Sequence, residues 1–521
     1  MVTRAIGLLA LAAAARAQEY AGSKSCAGCH RQIYDHWVTT PMGRALTPAS
    51  QHLALGGGVV TSDGFKREFT VTIEDGRLVQ TESGAEFRSS HPLAYAIGSG
   101  VNGFSFLVQR GDHLFQAPLS YYTRTRQWAL SPGYEFADYG FNRPIAAGCI
   151  ACHSGQPQPV PQRNGQFRDP PFAELAIGCE NCHGPGRSHV QRKAPIVNPA
   201  KLTRALADDI CMNCHQGGDT RIPLPGKTEL DFHPGRPLSE TIAIFKIPRQ
   251  RGAADSDLLE HHESLRLSAC FRGSNGRMSC QSCHNPHATS TDYRAKCLTC
   301  HAKPFAAATH PARDRDCVTC HMPKRELQVI AHSALTNHRI VRTLAQGLPD
   351  AAFPQTDLVL FNPGRPLPVI TRMRAYGQLM EQQPAYRERF DALLTESARA
   401  YPSDPLVLAA LGRKALRAQQ NDEAITLLKK AIAAGSESAS TFEDLGEALA
   451  RSGALDASAA MLQRGIELAP FAPTLRKSLA LRFVKLQRFA EARKTLEDYV
   501  ALFPEDDFVR RLLKQVTAPS R

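Results

Sequence analysis

The segment at residues 178–189 reads GCENCHGPGRSH, and it contains the pattern that decides the organisation of the chain. Two cysteines separated by two residues are followed directly by His183, and a second histidine, His189, comes six residues later. This CxxCH pattern occurs seven times in the 521 residues and uses 14 of the 15 cysteines. The seven motifs are CAGCH at 26–30, CIACH at 149–153, CENCH at 179–183, CMNCH at 211–215, CQSCH at 280–284, CLTCH at 297–301 and CVTCH at 317–321.

The spacing within each motif suits covalent attachment of haem c. The two cysteines can add to the vinyl groups of one porphyrin, and the adjacent histidine then lies under the iron as proximal ligand. Structural zinc would require a second Cys/His pair at each site, and a redox disulfide would require a thioredoxin-like context that is not visible. We therefore predict seven covalent haems. The predicted attachment residues are Cys26, Cys29, Cys149, Cys152, Cys179, Cys182, Cys211, Cys214, Cys280, Cys283, Cys297, Cys300, Cys317 and Cys320, and the predicted proximal ligands are His30, His153, His183, His215, His284, His301 and His321.

The histidines outside the motifs are the first candidates for the opposite, distal side of each iron. A residue three to six positions after a proximal histidine cannot readily pass round the porphyrin, so His189 and His287 are expected to serve a neighbouring haem. The same argument applies to His36, whereas His113, in a predicted hairpin turn, and His52 are expected to face solvent. The candidate distal ligands are His189, His287, His332, His338, His91, His233, His310, one of the pair His261 and His262 (His262 being taken as the candidate) and Met42.

Cys270 is the one cysteine outside the motifs, and the sequence leaves two readings open. It is either a buried free thiol or a thiolate near or on a haem iron, since it precedes Cys280 by ten residues.

The N-terminus and the charge indicate an exported protein. Arg4 precedes the apolar stretch Ala5 to Ala15 and an AxA site at 15–17, which predicts a signal peptide over 1–17, with an uncleaved anchor as the alternative. The expected destination is the periplasm, or else the cell surface. No apolar run is long enough to span a membrane. The net charge of +13 is offset by roughly −7 to −14 from the propionates of seven haems, so nucleic-acid binding is not predicted.

The remaining segments define the domain organisation. Alternating apolar residues at about 55–145 predict an antiparallel β insertion within a heptahaem domain at 18–340. Residues 341–370 are rich in proline and predict a linker. Residues 371–517 repeat with a period of 34, with Leu411-Gly412, Leu445-Gly446 and Leu479-Ala480 in register.

Two family resemblances follow from these motifs. Residues 21–340 resemble the exported multihaem cytochromes c related to the tetrahaem carriers of ammonia oxidisers and to hydroxylamine oxidoreductase, through the motif series, GCENCHGPGRSH, SCQSCHNPH at 279–287 and CHMPK at 320–324. That resemblance implies close-packed haem pairs and places the family's distal histidines on His189 and His287. The C-terminal part resembles the tetratricopeptide repeats. The expected fold is an irregular, mostly α cytochrome domain with a small β insertion, followed by an all-α solenoid.

Three functions are compatible with this organisation. The first is a carrier that relays electrons along the haems to or from a redox partner docked on the repeats. The second is an oxidoreductase that acts on a small nitrogen or sulfur compound at one five-coordinate haem, and the third is a haem-containing sensor or scaffold. The number of usable distal ligands favours the carrier over an enzyme. The oligomeric state is not encoded in any of these patterns.

Overall fold

The computed structural model describes residues 19–251, 260–288, 291–305, 316–324, 336–343 and 345–517. The expected signal peptide and the candidate ligands His310 and His332 lie outside the described residues. The described chain has a sheet-rich N-terminal part and an all-helical C-terminal part. Within the described ranges, no helix combines the length and the apolar character needed to cross a membrane.

The β unit near the N-terminus is an antiparallel assembly in which seven strands follow the order β10-β7-β6-β5-β4-β3-β2, while β1 pairs with β5 and β8 joins β6 to β9. Its core contains Phe69, Val71, Leu93, Phe106 and Trp128. The ten strands are β1 Leu46–Pro48, β2 Gly58–Ser62, β3 Arg67–Glu74, β4 Arg77–Gly84, β5 Phe87–Ile97, β6 Gly103–Arg110, β7 His113–Gln116, β8 Leu119–Tyr122, β9 Gln127–Leu130 and β10 Arg143–Pro144.

The β3–β4 hairpin shows how the sequence forms this unit. Phe69 and Val71 point into the core, whereas Ile73 at the strand end is 49% exposed. The turn residues Asp75 and Gly76 both have positive φ, 48° and 70°, which is the backbone of a two-residue hairpin turn. The hairpin lies where the alternation predicted it, but the whole unit is larger than the small insertion that we expected.

The region that carries the remaining motifs combines short helices with two further small sheets, so the expectation of a mostly α domain was wrong in this respect. Strand β14 is buried on both faces, so its sequence lacks the alternation of apolar and polar residues from which a strand can be predicted. The strands are β11 Gln156–Pro159, β12 Phe167–Glu174, β13 Thr220–Pro223, β14 Ile242–Lys246 and β15 Val359–Leu360. The helices are α1 Ser23–Cys26, α2 Arg31–Trp37, α3 Ala147–His153, α4 Cys179–His183, α5 Arg187–Val190, α6 Arg204–His215, α7 His261–Leu267, α8 Ala269–Gly273, α9 Cys280–Cys283, α10 Tyr293–Phe305 and α11 Cys317–His321.

The proline-rich segment at 341–370 packs against this region. Its strand β15 pairs antiparallel with β14. The buried Asn362 side chain donates to the carbonyl oxygen of Ile242 at 2.8 Å and accepts from the amide of Ile244 at 2.8 Å. The segment that we predicted to be a linker therefore contributes the edge strand β15 to the sheet formed with β13 and β14.

Helix pairs form the C-terminal part. The first helices of three successive pairs begin 34 residues apart, at Pro405, Ala439 and Pro473. A Cβ on Gly412 would lie 2.6 Å from Cγ of Leu428, so glycine at this register position lets the two helices of a pair approach. The helices are α12 Val369–Leu379, α13 Tyr386–Ala400, α14 Pro405–Arg417, α15 Asn421–Ala433, α16 Ala439–Arg451, α17 Leu455–Leu468, α18 Pro473–Lys485, α19 Phe489–Leu502 and α20 Asp507–Thr517.

The helical repeats pack directly on the β unit. The ring of Phe471, between α17 and α18, lies 4.7 Å from the ring of Phe115 and 4.9 Å from that of His113. The guanidinium of Arg110 lies 4.7 Å above the Phe471 ring. His113 is only 6% exposed, so our expectation that it faces solvent was wrong. The turn residues Gly111 and Asp112 are exposed, but His113 at the start of β7 packs on Phe471 of the repeats, a contact between distant parts of the chain that local sequence does not reveal.

A second contact between the same two parts is ionic. Arg67 on β3 donates to Asp138 at 3.2 Å and, from the other end of its guanidinium, to the backbone oxygen of Glu505 at 2.8 Å and to Asp507 at 3.2 Å. Its Nε also lies 3.4 Å from the fully buried carboxylate of Glu82. Arg67 of the β unit thus contacts the first residue of the last helix, Asp507.

Candidate functional site

The cysteines and the histidine of each motif lie on a helical turn. In the first motif the amide of His30 donates to the carbonyl oxygen of Cys26 at 2.8 Å, and in the fifth the amide of His284 donates to that of Cys280 at 2.9 Å. Residues three apart share one side of such a turn, so both cysteines face the same way and the histidine follows beside them. This is the local geometry that attachment to one porphyrin edge requires. None of the 15 cysteines forms a disulfide.

Thiols of different motifs meet in pairs. Hydrogen-bond contacts join four pairs of motifs, the first with the third, the second with the fourth, the fourth with the fifth, and the sixth with the seventh. The hydrogen bond with Cys214 lowers the pKa of Cys152 to about 7, because the neighbouring thiol stabilises the thiolate. These contacts bring the first motif to the third, the second and the fifth to the fourth, and the sixth to the seventh. The contacting pairs are Cys26 with Cys179, Cys152 with Cys214, Cys211 with Cys280, and Cys297 with Cys317.

Histidine rings from different segments face each other at a characteristic separation. The ring centroids of His30 and His189 are 6.4 Å apart with the planes 15° from parallel, and those of His183 and His287 are 6.0 Å apart at 11°. Two imidazoles bound to opposite sides of one metal, with bonds of about 2.0 Å, have centroids a little over about 6 Å apart. The centroid separations of both pairs are therefore close to that of two imidazoles bound to one metal.

The crossing of motifs is part of this arrangement. His189 follows the third motif but lies beside His30 of the first, and His287 follows the fifth motif but lies beside His183 of the third. Each of these two histidines therefore lies beside the histidine of another motif and not beside the motif that precedes it in the sequence.

A third group of rings surrounds the fourth and fifth motifs. His284 and His338 are 6.1 Å apart at 33°, while His261 lies 4.8 Å from His338 and 5.2 Å from His215. Of the adjacent pair, it is therefore His261 that lies beside a proximal histidine. The ring of His262, which we took as the candidate, instead lies near the rings of Phe271 and Phe361, at 6.4 and 5.8 Å.

Backbone carbonyls orient several of these rings. Nδ1 of His183 lies 2.8 Å from the carbonyl oxygen of Val197, and Nδ1 of His321 lies 2.7 Å from that of Val341. Nδ1 of His338 is likewise 2.9 Å from the carbonyl oxygen of Thr336. A histidine that donates from Nδ1 presents its Nε2 lone pair, which is how the second ring nitrogen of metal-bound histidines is usually arranged.

Burial keeps the clustered rings neutral. It lowers the pKa of His261 to about 3, with further lowering by His215, His338 and His284. The pKa of His215 is lowered by burial first and then by His284. Neutral imidazole is the form that binds a metal, so the environment favours the ligating state.

Glu180, inside the third motif, joins three segments of this group, and we did not single it out from the sequence. It is 2% exposed, and its carboxylate accepts from the amides of Ala21 at 2.9 Å, Gly22 at 2.8 Å and Gly186 at 2.6 Å. It therefore ties the residues before the first motif to the start of the helix that carries His189, α5. An acidic residue between two motif cysteines was the only sequence signal.

The other candidate ligands lie in different surroundings. His91 belongs to β5, where its ring lies 4.6 Å from that of Phe141, and burial lowers its pKa to about 4. Met42 begins a short 3₁₀ helix, Met42–Arg44, and is half-buried, and His233 is an exposed loop residue. His52 lies 2.7 Å from the hydroxyl of Thr47 and packs on an aromatic ring of the β unit.

Comparisons with known proteins agree with a multihaem cytochrome. The chain is 25% identical over 218 residues to the multiheme cytochrome MtrA of Shewanella baltica, a match that covers 39% of this chain and 61% of the relative. The chain thus spans less than two thirds of that relative's length. No protein-family model matches the chain.

Solved structures with helical repeats also match. A TPR protein with an unusual peptide-binding site, YrrB, is 18% identical with a TM-score of 0.25, over 29% of this chain and 76% of that one. A TPR domain of Spaghetti bound to an HSP90 peptide is 20% identical with a TM-score of 0.21, over 22% and 93%. The repeat architecture of this part of the chain is defined by its own helix pairs, whose first helices begin 34 residues apart.

Proposed function

We propose that the chain is an exported heptahaem c-type cytochrome that relays electrons through a close-packed haem array to or from a partner docked on its repeats. The observation that carries the proposal is the meeting of histidine rings across motifs, His30 with His189 and His183 with His287. Each such pair links two motifs through one iron position, the first with the third and the third with the fifth, which would bring their haems close together.

Bound haem c would supply one-electron transfer between ferric and ferrous iron. The chain's own residues hold the array. The motif cysteines would anchor each porphyrin, the paired histidines would bind the iron, and hydrogen bonds from the histidine Nδ1 atoms to carbonyl oxygens such as that of Val197 would fix the ring orientation. Filled axial positions favour electron transfer over binding of a substrate at iron, which is why we prefer the carrier to the oxidoreductase.

Spectroscopy of the oxidised protein tests the proposal. Mass spectrometry and pyridine haemochrome titration should find seven covalent haems per chain, and low-temperature electron spin resonance should show predominantly low-spin iron. Four or fewer haems in protein from a competent host would contradict the array. A cyanide-sensitive high-spin signal from about one haem in seven would instead favour the oxidoreductase.

The partner site that we propose is the groove of the repeats. A cavity of about 630 Å³ lies between α14, α16 and α18, and it is lined by charged side chains of both signs. Arg413 pairs with Asp444 at 2.7 Å within it, and Arg417 and Glu443 also line it. A mixed-charge concave surface suits an extended polar segment of a protein partner.

Charge reversal in this groove tests docking without disturbing the haems. Arg417→Glu combined with Glu443→Lys should slow electron exchange with the native periplasmic fraction while leaving the optical spectrum unchanged. Arg464→Glu, on the exposed part of α17 outside the cavity lining, is the matched control. Equal rates for the groove variant and the control would remove the groove from the proposal.

A further inference from the structure

Cys270 lies beside a proximal histidine. It is the one cysteine outside the CxxCH motifs, and α8 places its Sγ 3.9 Å from Nε2 of His301 in the sixth motif. Nε2 is the atom that a proximal histidine directs at the iron. Cys270 is half-buried, so its thiol is not simply a solvent-facing group.

The distance is close to that expected for two ligands of one metal. A nitrogen and a sulfur bound on opposite sides, with bonds of about 2.0 and 2.3 Å, lie about 4.3 Å apart. The Sγ–Nε2 separation of 3.9 Å is close to that spacing. The centroid separations of the paired histidine rings are likewise close to those of two imidazoles bound to one metal. The motif cysteines Cys297 and Cys300 would anchor the porphyrin beside the same His301.

The backbone around Cys270 holds this position. The Ser268 side chain accepts from the amide of Phe271 at 3.0 Å and so caps α8, and Arg272 donates to the carbonyl oxygen of Leu267 at 2.7 Å. Among the residues that the structure describes, no ring contact joins His301 to another histidine. Within the described ranges, the Cys270 thiol is the metal-binding group that lies beside Nε2 of His301.

We propose that Cys270 is the distal ligand of the sixth haem, which would then have histidine–thiolate coordination. The proposal rests on the proposed function, since it requires haem at the CLTCH motif. As the iron–sulfur bond forms, the thiol proton passes to solvent. A thiolate donates more electron density to iron than imidazole does, so this haem would have the lowest reduction potential of the array.

The test uses the full haem-loaded protein and begins with peptide mapping. The peptide containing residues 297–301 should carry haem in the wild type and in Cys270→Ser. Electron spin resonance of the oxidised wild type should then contain one low-spin component with the narrow g spread of thiolate ligation, equal to about one haem in seven. Magnetic circular dichroism should show the matching sulfur-to-iron charge-transfer band.

The variants separate the outcomes. Cys270→Ser should lose both thiolate signals, and Cys270→Met should replace them with histidine–methionine features and raise one reduction potential in a redox titration. Ser274→Ala, which alters the same turn without touching the sulfur, should retain them. If peptide 297–301 carries no haem, the proposed function fails at this motif and the ligand proposal falls with it. If it carries haem but the wild type shows only bis-histidine features, or Cys270→Ser keeps the thiolate signals, the ligand proposal alone is overturned.

Discussion

The buried carboxyl group of Glu82 should make the contact between the β unit and the repeats sensitive to pH. Burial raises its pKa to about 9 from the ordinary 4.5, and the nearby Asp138 and Glu505 raise it further than Arg67 can lower it. Glu505 itself has its pKa raised to about 7, first by burial. The carboxyl groups of Glu82, Asp138 and Asp507 all lie beside the guanidinium of Arg67, so ionising Glu82 as well is unfavourable.

The sign of the effect follows from proton binding. Between pH 4.5 and about 9 the folded protein holds a proton on Glu82 that the unfolded chain has released, so the free energy of unfolding falls as pH rises. Each pH unit above the unfolded pKa costs about 1.4 kcal/mol, and the cost is therefore about 3 kcal/mol at pH 7. Glu82→Gln removes the ionisable group while keeping its shape, and should recover most of that amount.

Hydrogen exchange measured by mass spectrometry on peptides from β4 and α20 tests this directly. Wild-type protection should decrease from pH 5 to pH 8 after correction for intrinsic exchange rates, whereas Glu82→Gln should show a flatter profile and greater protection at pH 8. Glu86→Gln is the matched control, because Glu86 lies in the turn that follows β4, the strand that carries Glu82, and its half-exposed carboxylate forms ion pairs with Arg510 and Lys514. Parallel pH profiles for Glu82→Gln and the wild type, or lower protection in Glu82→Gln at pH 8, would refute the reasoning.

Three further changes test other parts of the structure. His287→Ala should leave one haem high-spin, and peptide-resolved spectroscopy should assign it to the motif of His183, which lies opposite; loss at the motif that precedes the substitution would contradict the pairing. Gly412→Ala should destabilise the repeats, because overpacking against Leu428 at 2.6 Å costs about 1–3 kcal/mol and exceeds the gain of up to about 1 kcal/mol in helix propensity; a rise in the midpoint of thermal unfolding would argue against it. Phe471→Ala should cost about 1–3 kcal/mol at the interface of repeats and β unit, seen as faster hydrogen exchange in β7, and unchanged exchange would show that the contact is not stabilising.

Patterns of fixed spacing were readable from the sequence, whereas contacts between distant segments were not. The 34-residue period placed the helices of the repeats, and the alternation around Asp75-Gly76 placed a hairpin, because both signals are local. Strand β14 escaped prediction since burial on both faces erases alternation. The packing of Phe471 on His113 depends on two segments that meet only after folding.

In the candidate site, too, local patterns could be predicted from the sequence, whereas contacts between distant segments could not. The motifs predicted the attachment cysteines and proximal histidines, and a steric argument predicted that His189 and His287 serve other motifs; the structure places their rings beside His30 and His183. Sequence could not choose between His261 and His262, because adjacent helical residues point in different directions, and only the packing of the surrounding helices brings one of them to His215. The position of Cys270 near His301 likewise depends on how α8 and α10 approach each other.

The separation of His30 from His189 has a consequence for how the protein is made. If these two rings share one iron, the first haem is attached to a segment that leaves the ribosome 159 residues ahead of its second ligand. At a synthesis rate of about 5–20 residues per second, that interval is roughly 10–30 s. A chain exported as it is made would therefore carry its earliest haem through this interval with one axial position filled only by solvent or by the assembly machinery. During maturation, a haem attached to an early motif would then receive its second axial ligand only when a later segment of the chain arrives.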